Sequence, residues 1–126
     1  NDKELMALDS LTKQYDLEDR TLAFAKRVRA YMKKMPKSLA NIEDGKQLIK
    51  ASGSVGANYI EANEALSRKD FIMRIKICRK EAKESRYWLR LIETENDQER
   101  EDERSYLEQE AMELTNIFGS ILNKAG

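Results

Sequence analysis

The stretch FIMRIKICRKEAKESRYWLRLI, residues 71–92, decides the fold. Phe71, Ile75, Cys78, Ala82, Ser85, Leu89 and Ile92 recur at alternating intervals of four and three. That period lines seven small or apolar side chains along one stripe of an α-helix, with Lys, Arg and Glu on its other faces. Three heptads run without a Gly or a Pro. Ser67, with Asp70 three residues on, makes a capping-box-like start.

The same alternation extends in both directions. Upstream, Leu48, Ser52, Val55, Tyr59, Ala62 and Leu66 predict a helix over roughly 42–66. Before it, Phe24, Val28, Tyr31 and Met35, widened by Thr21, Ala25 and Met32, mark a helix that Asp16 can cap and Pro36 stops. Downstream, Thr94 to Gln98 reads as a turn, and Leu107, Ala111, Leu114, Phe118, Ile121 and Ala125 form a fourth seam. Four seams with short connections predict an all-α, antiparallel up-down-up-down four-helix bundle. Residues 1–15 lack periodicity and read as a mobile N-terminal arm, which leaves 16–126 as one domain.

Composition narrows the chemistry. The 126 residues fit one domain, and they include no histidine and a single cysteine, Cys78. Histidine general bases, Ser-His or Cys-His nucleophiles, HExxH zinc sites and Cys-only metal sites are therefore excluded. No catalytic residue, cofactor or metal site is predicted. Cys78 lies on the seam and reads as a small core residue of low reactivity. No run of 18 apolar residues offers a membrane span and no signal peptide is visible, so the expected compartment is a reducing cytoplasm.

The formal charge is zero, 23 basic against 23 acidic side chains, yet it is unevenly distributed. Residues 67–93 carry nine basic and four acidic groups, whereas 94–126 carry three and nine. Lys26, Arg29, Lys33 and Lys37 share one face of the first helix. Lys76, Lys80, Lys83 and Arg90, flanked by Arg79 and Arg86, line the third. These are the candidate nucleic-acid contacts, with Tyr31, Tyr87 and Trp88 as candidate stacking rings. The competing reading is neutralisation by the fourth helix through Glu99, Glu101, Asp102, Glu103, Glu108, Glu110 and Glu113, and the neutral total favours it.

Two further constellations stand out. In ASGSVGAN, residues 51–58, Gly53 and Gly56 each cost about 1 kcal/mol relative to Ala inside a helix. With Ala57 they let a second helix approach closely, within the subunit or across an oligomer contact. A local break that exposes backbone groups is the other reading. Trp88, beside the seam residue Leu89, joins Gly53, Gly56 and Ala57 as a candidate oligomer or close-packing contact.

The dyads Glu61-x-x-Glu64 and Glu81-x-x-Glu84 suggest the paired acids of a Mg²⁺-dependent nucleotide pyrophosphohydrolase. A reversal near Ser67 would separate them by roughly 16 Å of helical rise. A structural polar network of Asn58, Glu61, Arg79 and Glu84 is the preferred expectation. In it Asn58 lies near Lys76, Arg79 near Val55 and Glu84 near Lys50.

Tyr15-Asp16-Leu17 ahead of the first helix, Pro36 after it, SVGANYIEA at 54–62, and the run from Asp70 and Phe71 to Arg79, Glu84 and Leu89 carry a resemblance. Together, over about 15–122, they resemble the four-helix-bundle family encoded within 23S ribosomal RNA intervening sequences. Ser54, Val55, Asn58 and Glu61 match its S-I-x-x-N-I-x-E-G signature. Tyr59 and Ala62 depart from that signature, and Lys80 and Glu81 replace a small pair after Arg79. The resemblance implies a bundle that assembles into a pentameric ring, with a ribosomal-protein-like label. It also implies kinship to the accessory protein of diversity-generating retroelements, which associates with a reverse transcriptase and nucleic acid. The expectation is a non-enzymatic, oligomeric interaction protein associated with RNA or an RNA-handling partner. The competing class is the pyrophosphohydrolase built on Glu61, Glu64, Glu81 and Glu84.

Overall fold

The computed structural model describes residues 16–125, which form four α-helices and no strand. They are α1 (Leu17–Lys33), α2 (Leu39–Asn63), α3 (Arg68–Leu91) and α4 (Gln98–Ala125). The expected N-terminal arm, 1–15, lies outside the described residues.

Short polar side chains set three of the four starts by accepting an orphan backbone N–H. Ser67 Oγ accepts from Asp70 N at 3.1 Å, Ser38 Oγ from Asn41 N at 3.1 Å, and Asp97 Oδ2 from Arg100 N at 3.0 Å. Ser38 starts α2 three residues before the expected position, and α2 ends at Asn63 rather than near 66. Leu66, expected on the seam, therefore falls past the helix end and is 94% exposed. Asp16 does not cap α1 through its side chain; its backbone is left-handed, with φ 48°.

The other seam positions are buried. Side chains from all four helices form one core, with Phe24 and Val28 from α1, Leu48 and Val55 from α2, Ile75 and Leu89 from α3, and Leu114 and Phe118 from α4 among them. The Tyr59 and Phe118 rings, centroids 6.1 Å apart, join α2 to α4 inside it. On the outside of that core α1 packs against α2 and α4, and α3 against the same two. No helix among the described residues is long and apolar enough to cross a membrane.

Polar ties fix one end of the bundle. Asn41, 2% exposed, donates from Nδ2 to Pro36 O and Glu93 O and accepts from Glu93 N. It thereby clips the α1–α2 connection to the α3–α4 connection. Arg104 donates to Leu89 O, Ile92 O and the Glu101 carboxylate. A cation at the carbonyl end of α3 satisfies orphan acceptors and opposes the negative end of the helix dipole.

Candidate nucleic-acid interface

The acidic residues of α4 all lie in its first sixteen positions, and residues 114–125 contain none. That first stretch is committed elsewhere. Arg20 of α1 grips Glu110 with two bonds of 2.8 Å and reaches Glu113 at 3.0 Å. Arg27 binds Glu103 at 2.6 and 2.9 Å, and its guanidinium lies 3.5 Å over the Tyr106 ring. Arg27 holds the Glu103 carboxyl below its ordinary range, while the Gln109 and Arg20 bonds do the same to Glu113. Facing α3, Glu108 reaches only Arg86, at 3.9 Å. Neutralisation of α1 by α4 is thus realised at Arg20 and Arg27.

For α3 it is not. Lys76, Lys80, Lys83 and Arg90 are exposed and make no ion pair among the described residues. Arg79 lies against Gly119 in the acid-free part of α4. Lys76, Arg79, Lys80 and Lys83, with Glu84 and Leu122, line a groove of about 450 Å³. Gly119 stands six residues past Glu113, roughly 9 Å of helical rise, about one Debye length at physiological salt. Screening leaves the groove positive.

The basic residues of α1 are placed differently. Lys26 and Lys33 are exposed without an ion pair among the described residues, whereas Arg29 turns back onto Ala25 O at 3.0 Å. Arg29, Lys46 and Lys50 flank a shallow cleft floored by Ile49, Gly53, Ser54 and Ala57. Since α1 and α3 are diagonal in the bundle, the two basic faces point apart and do not merge.

The three candidate rings separate as well. Tyr31 is buried, 2% exposed, so it cannot stack on a base. Its hydroxyl has no hydrogen-bond partner among the described residues, and burial pushes its pKa up to about 12. Trp88 is half-buried against the core, while Tyr87 is 57% exposed and meets it edge-on at 5.1 Å.

The small-residue stretch serves α1. A Cβ on Gly56 would come within 2.9 Å of Thr21 Oγ1, so α1 and α2 approach too closely there for any side chain. On Gly53 it would meet Arg29 Nη2 at 3.3 Å, and Ala57 is exposed in the cleft. The helix continues through all three, so the local break is not seen.

The expected polar network needs correction. Asn58 Oδ1 accepts from Arg74 Nη1 at 3.0 Å, not from Lys76, and Asn58 Nδ2 donates to Ser54 O at 2.9 Å. Cys78 Sγ donates to Val55 O at 3.4 Å, the place expected for Arg79. The Glu61 and Glu84 side chains are exposed and make no hydrogen bond among the described residues. The cause is the register: α3 sits one or two residues from the expected alignment on α2, so Cys78 takes the place opposite Val55 and Arg79 faces α4. Arg74 was missed for the same reason. Lys50 acts on Glu81. Glu61 and Glu81 stay apart, and no three His, Cys, Asp or Glu side chains gather as a metal site among the described residues. Burial pushes the Cys78 thiol up to about 12, which keeps it protonated at neutral pH.

The sequence pattern of the 23S rRNA-intervening sequence protein family matches residues 13–120. The chain belongs to that family. It is also similar to a solved crystal structure, a protein of unknown function from the S23 ribosomal protein family of Bacteroides thetaiotaomicron VPI-5482. Identity is 31% over 83% of this chain and 96% of that one, with a TM-score of 0.70. No curated protein matches. Within the 23S rRNA-intervening sequence family signature, Asn58 and Val55 have a physical role in this chain, since both join α2 to α3.

Proposed function

We propose that the chain is a non-catalytic, oligomeric helical-bundle module whose α3 face associates with RNA. One observation carries this reading: four cations line the α3–α4 groove, beside the half of α4 that has no carboxylate to pair with them. Phosphate binding there releases condensed counterions and needs no rearrangement of existing ion pairs. The antiparallel up-down-up-down order belongs to the same reading. It is supported by cross pairs that run in opposite numerical senses: Val55 with Cys78 and Asn58 with Arg74, Arg20 with Glu110 and Arg27 with Glu103.

Assembly into a ring, five copies in this reading, would repeat the basic face and raise affinity through multivalency. Leu22, Ile60 and Met73, each about half exposed, offer apolar area for a second copy. Light scattering should give a mass several times 14.6 kDa; a monomer at tens of micromolar would remove the ring. The RNA arm is a titration of structured ribosomal RNA and an unrelated RNA at two salt concentrations. Binding should weaken with salt and with Lys80→Glu plus Lys83→Glu. Tight binding insensitive to both would place the RNA on another surface.

A further inference from the structure

The outer face of α3 carries a second pattern besides charge. Lys76, Lys80, Lys83, Tyr87 and Arg90 recur at intervals of four, three, four and three, all exposed. They form one straight stripe about 21 Å long, with neighbours about 4.5–6 Å apart along the axis. Four flexible cations frame one uncovered aromatic ring. Trp88 meets that ring at a steep angle, centroids 5.1 Å apart, and Tyr87 keeps 57% of its surface exposed.

We propose that this stripe is a platform for a single nucleic-acid strand, with phosphates on Lys76, Lys80, Lys83 and Arg90 and an unpaired base stacked on Tyr87. The proposal rests on the RNA association argued above and specifies the form of the RNA. An exposed ring beside a row of cations is the combination that binds single strands without reading sequence, because every base has a stackable face. A duplex hides those faces and would use only the cations. The carbonyl end of α3, which would repel phosphate near Arg90, is covered by Arg104 through Leu89 O and Ile92 O. The opposing charges close to the stripe include Glu84 at the groove edge, the partly buried Glu81, and Glu108, which faces Arg86 at 3.9 Å. Its cations outnumber them.

The chain's one tryptophan makes the test direct. Full-length protein is titrated with a twelve-nucleotide oligouridine, a blunt RNA duplex of equal length, and polyglutamate, followed by Trp88 fluorescence and by filter binding. The single strand should bind at least tenfold tighter than the duplex and change Trp88 emission. Its log affinity should fall with log salt at a slope of about −2 to −3, for three or four phosphates. Tyr87→Ala should weaken the strand about tenfold with the slope unchanged, whereas Tyr87→Phe, which keeps the ring, should bind as the parent does. Lys80→Glu plus Lys83→Glu should flatten the slope. Equal or tighter binding of duplex or polyglutamate, or no effect of Tyr87→Ala, overturns the single-strand platform while RNA association stands. No binding of either RNA overturns the association itself.

Discussion

The two halves of α4 hold the bundle by different means. The first half adds charge to the burial of Leu107 and Ala111: Arg20 and Arg27 on Glu103, Glu110 and Glu113, and Arg104 between Glu101 and the end of α3. The second half is anchored by Leu114, Phe118 and Ile121, all fully buried, and carries only small, amide and apolar side chains plus Lys124. A chain that is neutral in total is therefore locally polar. Charges neutralise only the neighbours they reach, and the α3 cations lie beside the half that has nothing to offer them.

The largest contrast is in stability. Phe118→Ala should cost about 3–5 kcal/mol in urea unfolding, from lost burial and the cavity left behind. Glu110→Gln should cost under about 1 kcal/mol, since the Arg20 pair is part-exposed and screened. If the charge substitution proved the costlier of the two, the division between the halves would be wrong. A second experiment transplants the chemistry. Leu122→Glu puts a carboxylate in the groove among Lys76, Arg79, Lys80 and Lys83. It should lower RNA affinity about tenfold, about 1.4 kcal/mol, with the helix content intact. Unchanged affinity would mean that the groove does not carry the phosphate contacts.

How far the sequence reaches follows from the same physics. Burial has a period, so four helices and nearly every core residue were legible: Phe71 to Ile92 lie on the buried side as the heptads require. Leu66 failed because periodicity does not say where a helix stops; Ser38 and the end at Asn63 did. Pairing across helices depends on the centre of a turn, and an error of one or two residues there moved Arg79 from α2 to α4. The fate of the basic faces was illegible for a similar reason. Counting nine acidic groups in 94–126 does not reveal that Glu103, Glu110 and Glu113 turn toward Arg27 and Arg20 of α1 rather than toward α3. Asn41 and Arg104 bind backbone carbonyls of distant loops, a role with no sequence periodicity.

Acid should separate the halves further. The Glu103 carboxyl is lowered by Arg27, Glu113 by Gln109 and Arg20, and Glu101 by Thr94 and Arg104. A lowered folded pKa contributes stability that is present above the unfolded value, about 4.3, and is lost as pH falls through the folded one. Hydrogen exchange measured from pH 5 downward should therefore show residues 98–113 losing protection before 114–125. Simultaneous loss would show that the ion pairs do not hold the first half.

Glu81 provides the smallest effect, and its sign is opposite. Burial raises its pKa first, the neighbouring Glu84 adds to that, and Lys80 and Lys50 pull the other way. A raised folded pKa means that the folded state prefers the protonated acid, so this contribution is present below the unfolded value and lost as pH rises through the folded one. At pH 7 the carboxylate is then a mild burden, unlike the carboxylates of α4. Glu81→Gln should raise stability at pH 7 by no more than about 0.5 kcal/mol, since most of the group is solvent-screened. The gain should vanish near pH 4, where the parent side chain is itself protonated. Parallel urea titrations of parent and variant at the two pH values measure it. The substitution also removes a negative charge next to Lys80, so RNA affinity should rise slightly. If Glu81→Gln is destabilising at pH 7, the attraction of Lys80 and Lys50 outweighs burial, and α3 holds a working ion pair like those of α1.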